Sequence, residues 1–233
     1  MLDGSVVSYA VNPYCIVVIF NREYIKEQMS VETKKLDVEL PERKTGGVSF
    51  CLIGSTRSGK TTLLKHILKE YFSKHITVLM SNSIHAPIYK EIDDCIKSPI
   101  YSHRVIKEGY EINRKTNNHY PFLFVLDDVV DKKNDKELLK LLTIYRNSGL
   151  STIISLQSPI LMNTAGRGNI NFVCLGKMNS DENIEKVVRM YLMSFLKGKI
   201  DDKIREYKLL TEDHFWFMVN NLTGEVYRFK IKV

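Results

Sequence analysis

Gly54-Ser55-Thr56-Arg57-Ser58-Gly59-Lys60-Thr61 stands between an apolar run, Val48 to Ile53, and a stretch from Lys60 to Phe72 in which Leu63, Leu64, Ile67, Leu68 and Tyr71 recur at helical spacing. The order strand, glycine-bounded loop, helix is that of a phosphate-binding loop, G-x-x-x-x-G-K-[ST]. Glycines let successive backbone N–H groups curl around phosphate oxygens, the lysine reaches the outer phosphates, and the hydroxyl after it holds Mg²⁺. The helix N-terminus adds partial positive charge where the anion sits. Gly54, Ser55, Thr56, Arg57, Ser58, Gly59, Lys60, Thr61 and Thr62 are therefore expected to bind a nucleotide, ATP with Mg²⁺.

The rest of the chain alternates strand and helix signals. A strand is expected at Ile76 to Met80, a helix at Pro87 to Lys97, a short strand at Arg104 to Lys107 and a helix at Asn134 to Asn147. Strands follow at Ser151 to Leu156 and Asn171 to Leu175, then a helix from about Asp181 to Leu196 and a hairpin joining Phe215–Val219 to Glu225–Lys230 through Asn220 to Gly224. This order predicts an α/β fold, a three-layer sandwich with a mostly parallel central sheet covered on both faces. Residues 1–45, with a strand candidate at Cys15 to Phe20 and a charged stretch from Arg22 to Lys44, read as an N-terminal β extension; residues 46–233 read as the main domain, ending in the C-terminal hairpin.

Pro121-Phe122-Leu123-Phe124-Val125-Leu126-Asp127-Asp128 is an apolar run ending in two carboxylates, a Walker B pattern whose tip enters an active site. Phosphoryl transfer asks the protein mainly for positioning and charge neutralisation. Lys60 would bind the β- and γ-phosphates, Thr61 and Asp127 would hold the metal, and Asp128 would orient the attacking water. Gln157 closes a strand expected between those carrying the phosphate loop and Asp127, where its amide could touch the γ-phosphate or the water. Arg146 and Arg167 are the arginine-finger candidates, acting in their own or a neighbouring subunit.

At 233 residues and 44% hydrophobic content the chain holds one sizeable domain. Its formal charge of +7 favours an anionic partner. The four scattered cysteines read as reduced and structural, and the six histidines lack zinc-site spacing. The longest N-terminal apolar run, Cys15 to Phe20, is too short to span a bilayer, so a soluble intracellular protein is expected, not an integral membrane protein.

The phosphate loop, Leu126-Asp127-Asp128-Val129-Val130-Asp131, Tyr145-Arg146-Asn147, the strand Ile153 to Gln157 and the run Arg167 to Cys174 together resemble the poxvirus-type DNA packaging ATPases of the FtsK/HerA group. The likeness spans about residues 48 to 176 and departs from the family at Asn147, where histidine is usual, and from many relatives of the wider group at Asp128, where they carry glutamate. It implies a P-loop NTPase of the additional-strand (ASCE) type, assembling as a homo-oligomeric ring and pumping double-stranded DNA into a preformed capsid. Virion or host cytoplasm, at the viral assembly site, is the implied location, with a capsid or capsid-membrane protein as a further partner. The residues alone also admit a helicase, a recombination or partition factor, or a nucleotide-dependent scaffold. Arg104, Lys107, Arg114, Lys115 and His119, with Tyr101, Tyr110 and Tyr120, form a basic segment with aromatic interleaving that could meet a DNA backbone; the set Lys197, Lys199, Lys203, Arg205 and Lys208, interleaved with acids, reads as an exposed salt-bridged helix.

Overall fold

Apolar runs without polar alternation require cover on both faces, and the chain supplies it. The structure, a computed structural model, describes residues 6–12, 15–20, 34–42, 46–130, 135–161 and 164–231. Its strands are β1 (Val6–Asn12), β2 (Cys15–Phe20), β3 (Ser49–Ile53), β4 (Ile76–Ser81), β5 (Cys95–Ser98), β6 (Phe122–Asp127), β7 (Ser151–Leu156), β8 (Phe172–Leu175), β9 (Phe215–Asn220) and β10 (Val226–Lys230). Helices are α1 (Lys60–Tyr71), α2 (Pro87–Lys90), α3 (His103–Lys115), α4 (Lys136–Lys140, widening into a π turn over Leu141–Tyr145), α5 (Thr164–Gly168), α6 (Asp181–Val187, with a π turn over Val188–Leu192) and α7 (Ile200–Leu210).

Eight strands form one sheet in the order β10-β9-β8-β3-β7-β6-β4-β5. The pairings from β8 to β5 are parallel, and β9 and β10 add antiparallel at one edge. Strand β7 lies between β3 and β6, as expected from the sequence, with Ile53 beside Leu156 and Asp127 beside Ser155. This is the additional-strand arrangement. It brings the phosphate loop and the tips of β6 and β7 to one end of the sheet.

Alternation within the strands builds two cores. Phe50, Leu52, Leu123, Val125 and Ile153 face the α1 side with Leu63, Leu64 and Ile67, whereas Cys51, Ile53, Phe124, Leu126 and Ile154 face the other with Leu138, Leu142, Ile184 and Tyr207. Truncating a fully buried leucine such as Leu63 would cost about 2–5 kcal/mol. Burial also pushes the Cys51 thiol up to about 12, consistent with a structural thiol; Cys51, Cys95 and Cys174 are all free.

Two sequence expectations are corrected. The helix expected over Pro87 to Lys97 stops at Lys90, and Cys95–Ser98 instead adds to the sheet edge beside Thr77–Met80. The strand expected at Arg104 to Lys107 is the first turn of α3. Ser102 caps that helix by accepting the Val105 N–H, and Ile106, Gly109 and Asn113 form its buried stripe. At the second place the β-branched pair Val105-Ile106 misled, because the stripe's period extends beyond the short window.

In the N-terminal segment β1 and β2 pair antiparallel, while much of the charged stretch from Arg22 to Lys44 lies outside the described residues. Residues 34–42 lie along the core, where Leu36 and Val38 are buried and the Tyr71 and Tyr227 hydroxyls donate to Leu36 O and Asp37 O.

Candidate active site

Gly59 caps α1 with φ 94°, in the left-handed region that glycine enters without steric cost. A Cβ at Gly54 would lie 2.6 Å from Ser58 Oγ and 3.2 Å from Ser58 Cβ, so a side chain there would displace Ser58. Three bonds fix it from outside: Gly54 N–H to Leu156 O at 3.1 Å, Ser55 N–H to Lys177 O at 2.9 Å, and Asn179 N–H to Ser55 Oγ at 3.0 Å. The first N–H groups of any helix lack partners within it, and here they point from the loop end of α1.

Lys60 is buried, and its ammonium donates to Gly54 O at 2.9 Å and Ser55 O at 3.3 Å. It stands 3.8 Å from Asp128 Oδ2, to which Gln157 Nε2 donates at 3.3 Å. Thr56 Oγ1 in turn donates to Gln157 Oε1 at 3.5 Å. The structure thus joins four of the expected residues, from three separate segments, in one cluster. Asp128 has φ 53°, unusual for a residue with a side chain, and its N–H bonds Ser155 O. Such strain places a carboxylate where the strand would not carry it. Burial pushes the Asp128 carboxyl above its ordinary range; Lys60 pulls it back, and Asp127 pushes it up further.

Asp127 is 1% exposed and accepts from the Tyr89 hydroxyl at 2.6 Å; Ser81 Oγ donates to that hydroxyl at 3.0 Å, and the side chain of Thr61 reaches it as well. Burial and Asp127 push the Tyr89 phenol up to about 12, which keeps it a donor. Sequence reasoning missed Tyr89 and Ser81. Ser81 ends β4 at the same edge as Asp127, its register neighbour, but nothing local marks Tyr89. Thr61 and Asp127 supply hard oxygen donors at one place, the set that suits Mg²⁺ completed by phosphate oxygens and water. Among the described residues no group of three or more His, Cys, Asp or Glu forms a protein-only metal site.

The two finger candidates stand apart from this cluster. Arg146 donates to Gly47 O at 3.0 Å and Asn169 O at 3.3 Å, where β3 begins and before β8 starts. The phosphate loop leaves the opposite end of β3, so Arg146 is not a finger for its own chain's site. Its place at the end of a helix after β6 returns it to the N-terminal ends of the strands. Arg167 lies on α5, donates to Thr164 Oγ1 at 3.0 Å and lines a shallow surface hollow with Ile160 and Arg189.

Over residues 44–211 the sequence matches the poxvirus A32 protein family. The chain belongs to that family. This A32-family chain has the P-loop NTPase fold, with the nucleotide loop, the Walker B tip and the additional strand in their expected order. In fold it is similar to B204, the DNA-packaging ATPase from Sulfolobus turreted icosahedral virus, at a TM-score of 0.60 and 12% identity, covering 81% of this chain and 100% of that one. It is also similar to the pCW3 conjugation coupling protein TcpA in its monomer form with ATPgS, at 0.58 and 13%, covering 97% and 76%. A curated relative, the chaperone protein ClpB of Prochlorococcus marinus, is 26% identical over 193 residues, 79% of this chain. The A32-family chain spans only 22% of that relative's length.

On α3, Arg104 pairs with Glu108 and Arg114 with Glu111, so both arginines of the basic segment are paired within the helix, and Tyr110 stacks on Tyr145 at 4.4 Å. On α7 and the turn before it, Arg205 pairs with Asp202 and Lys208 with Asp181, as a salt-bridged helix requires, but Lys203 is buried with its ammonium on Met193 O. Among the described residues no helix is long and apolar enough to cross a membrane.

Proposed function

We propose that this chain hydrolyses ATP to translocate double-stranded DNA into a viral capsid, working as a homo-oligomeric ring at the viral assembly site, in the virion or the host cytoplasm. The observation that carries the chemistry is the convergence of Lys60, Asp128 and Gln157 on one end of the sheet. Lys60 neutralises the outer phosphates. Asp128, with its raised proton affinity, accepts a hydrogen bond from the attacking water, and Gln157 holds that carboxylate in place. Thr61 and Asp127 would hold Mg²⁺, which supplies charge neutralisation on the phosphates. Tyr89 orients Asp127 through its 2.6 Å bond.

Support for the cargo comes from family membership, from the likeness to a DNA-packaging ATPase and from the net charge of +7. In a ring, Arg167 is the finger we assign to the neighbouring subunit's site, since it sits on a partly exposed short helix. A capsid or capsid-membrane protein is the docking partner. The decisive experiment measures hydrolysis with and without duplex DNA at two salt concentrations. Stimulation that weakens with salt is expected; turnover indifferent to DNA sinks the motor.

A further inference from the structure

The eight-stranded sheet has two edges, and the chain covers one of them. Residues 34–42 run beside β10: Lys34 N–H donates to Arg228 O at 2.6 Å, the Tyr227 hydroxyl donates to Asp37 O, and Leu36 and Val38 are buried. At the opposite edge β5 pairs with β4 alone among the described residues. An uncovered edge presents unpaired N–H and C=O groups that can take up another strand. Its surroundings are apolar. Ile96 on β5 is 62% exposed and Ile100 just after it 68%, while Lys97, the one charge of the strand, lies on the face opposite Ile96. Ile96 is the register neighbour of Val78, whose side chain joins the same core as Ile106 of α3. On α3, Val105 and Ile112 are exposed as well, two turns apart and on the other side of the helix from Tyr110. Tyr110 stacks on Tyr145 of α4, so the Val105 flank is the one toward β5.

The N-terminal strands have the opposite need. Among the described residues β1 and β2 pair with each other and with no strand of the eight-stranded sheet. A two-stranded hairpin is marginal in water by itself. β2, Cys-Ile-Val-Val-Ile-Phe, is apolar at every position, the composition of a strand covered on both faces, whereas β1 carries Ser8 and Asn12, as an outer strand can. The β5 edge of its own chain is too far for β2. Residues 21–33 connect β2 to Lys34, and thirteen residues span at most about 43–47 Å. From β10 to β5 are seven strand spacings, about 34 Å. A route over either helix layer adds roughly two helix diameters, about 20–24 Å, more than the tether has.

We propose that β2 of one copy adds to the β5 edge of a second copy, its apolar residues covering Ile96, Ile100 and the Val105 flank of α3. Main-chain bonds supply the pairing and alternate side chains the fit. Each copy gives a hairpin at one edge of its sheet and receives one at the other, a head-to-tail contact of the kind that closes into rings. The inference rests on the ring reading and names the surfaces by which the copies join.

Sedimentation of the full chain with ATP and duplex DNA, over a concentration series, is the test. Wild type is expected to assemble, and Ile96→Asp and Val17→Asp each to weaken assembly by about tenfold or more with nucleotide binding kept, because either places a charge in an apolar contact. An equimolar mixture of the two variants decides between pairing across copies and pairing within one. It retains one intact contact, the unaltered β2 of the Ile96→Asp copy on the unaltered β5 of the Val17→Asp copy, so heterodimers should form at concentrations where each variant alone is monomeric. Ile100→Asp and Ile19→Asp replace whichever variant melts well below wild type. Assembly unaffected by either variant, or a mixture that stays monomeric although each variant has lost assembly, would overturn the inference and leave the ring reading standing. Wild type that stays monomeric throughout would overturn both.

Discussion

At the N-terminal ends of β3, β7 and β8, polar side chains are spent on backbone. Ser49 N–H donates to Asn171 Oδ1 and Asn171 N–H to Ser49 Oγ, Arg146 spans Gly47 O and Asn169 O, and Asn113 bonds Tyr120 O and Ser148 O. At the C-terminal ends the buried Ser58 Oγ and Ser155 Oγ have no partner, Lys60 and Asp128 are held 3.8 Å apart, and Asp128 sits in a strained conformation. The first end satisfies its groups and gains rigidity. The second leaves hydrogen-bonding capacity and strain standing where a ligand can use them.

That contrast breaks if substitutions at the two ends act alike. Lys60→Ala should lower hydrolysis by about 10³-fold or more and abolish tight nucleotide binding, with thermal unfolding close to wild type. Asp128→Asn should lower single-turnover hydrolysis by about 10²-fold or more while ATP affinity, read by calorimetry, stays nearly constant. Retained turnover would move the base elsewhere. Tyr89→Phe, which frees Asp127 from its orienting bond, should cost roughly tenfold in activity and raise the Mg²⁺ needed for half-maximal rate. An unchanged magnesium dependence would reduce Tyr89 to packing.

Arg146→Ala tests the other end. It removes the donor to two backbone carbonyls and should reduce unfolding free energy by about 1–3 kcal/mol, with hydrolysis by the folded single chain little changed. Loss of activity without loss of stability would return Arg146 to the site. The smallest effect is pH dependence. The folded carboxyl of Asp128 has a raised proton affinity, so its stabilising contribution is present below the ordinary aspartate range and is lost as pH rises through the folded value. Asp128→Asn should therefore melt slightly above wild type at neutral pH, and the gap should close on acidification; a gap that widens contradicts the raised affinity.

The strands carrying the site were legible because a buried parallel strand is continuously apolar and its end is marked by a polar residue. Asp127, Asp128 and Gln157 each follow such a run. The segment from Pro87 to Lys107 was not. Its helix–strand–helix sequence depends on an edge strand with half-exposed residues and on a stripe in α3 whose period a short window hides. The position of Arg146 was not legible for a different reason: sequence order after the Walker B strand says nothing about which end of the sheet a returning helix reaches.

Local sequence was enough for the phosphate loop, the paired carboxylates at the tip of β6 and the family, because a phosphate loop and a buried strand ending in acids require particular residue types at fixed short spacing. Packing in three dimensions decided that Tyr89 locks Asp127, that His214 and Trp216 of the distant hairpin stand beside Gly59 and Thr62, and that Arg146 braces the far end. These are contacts between segments 23 or more residues apart along the chain, set by strand order and helix packing, and no local spacing encodes them.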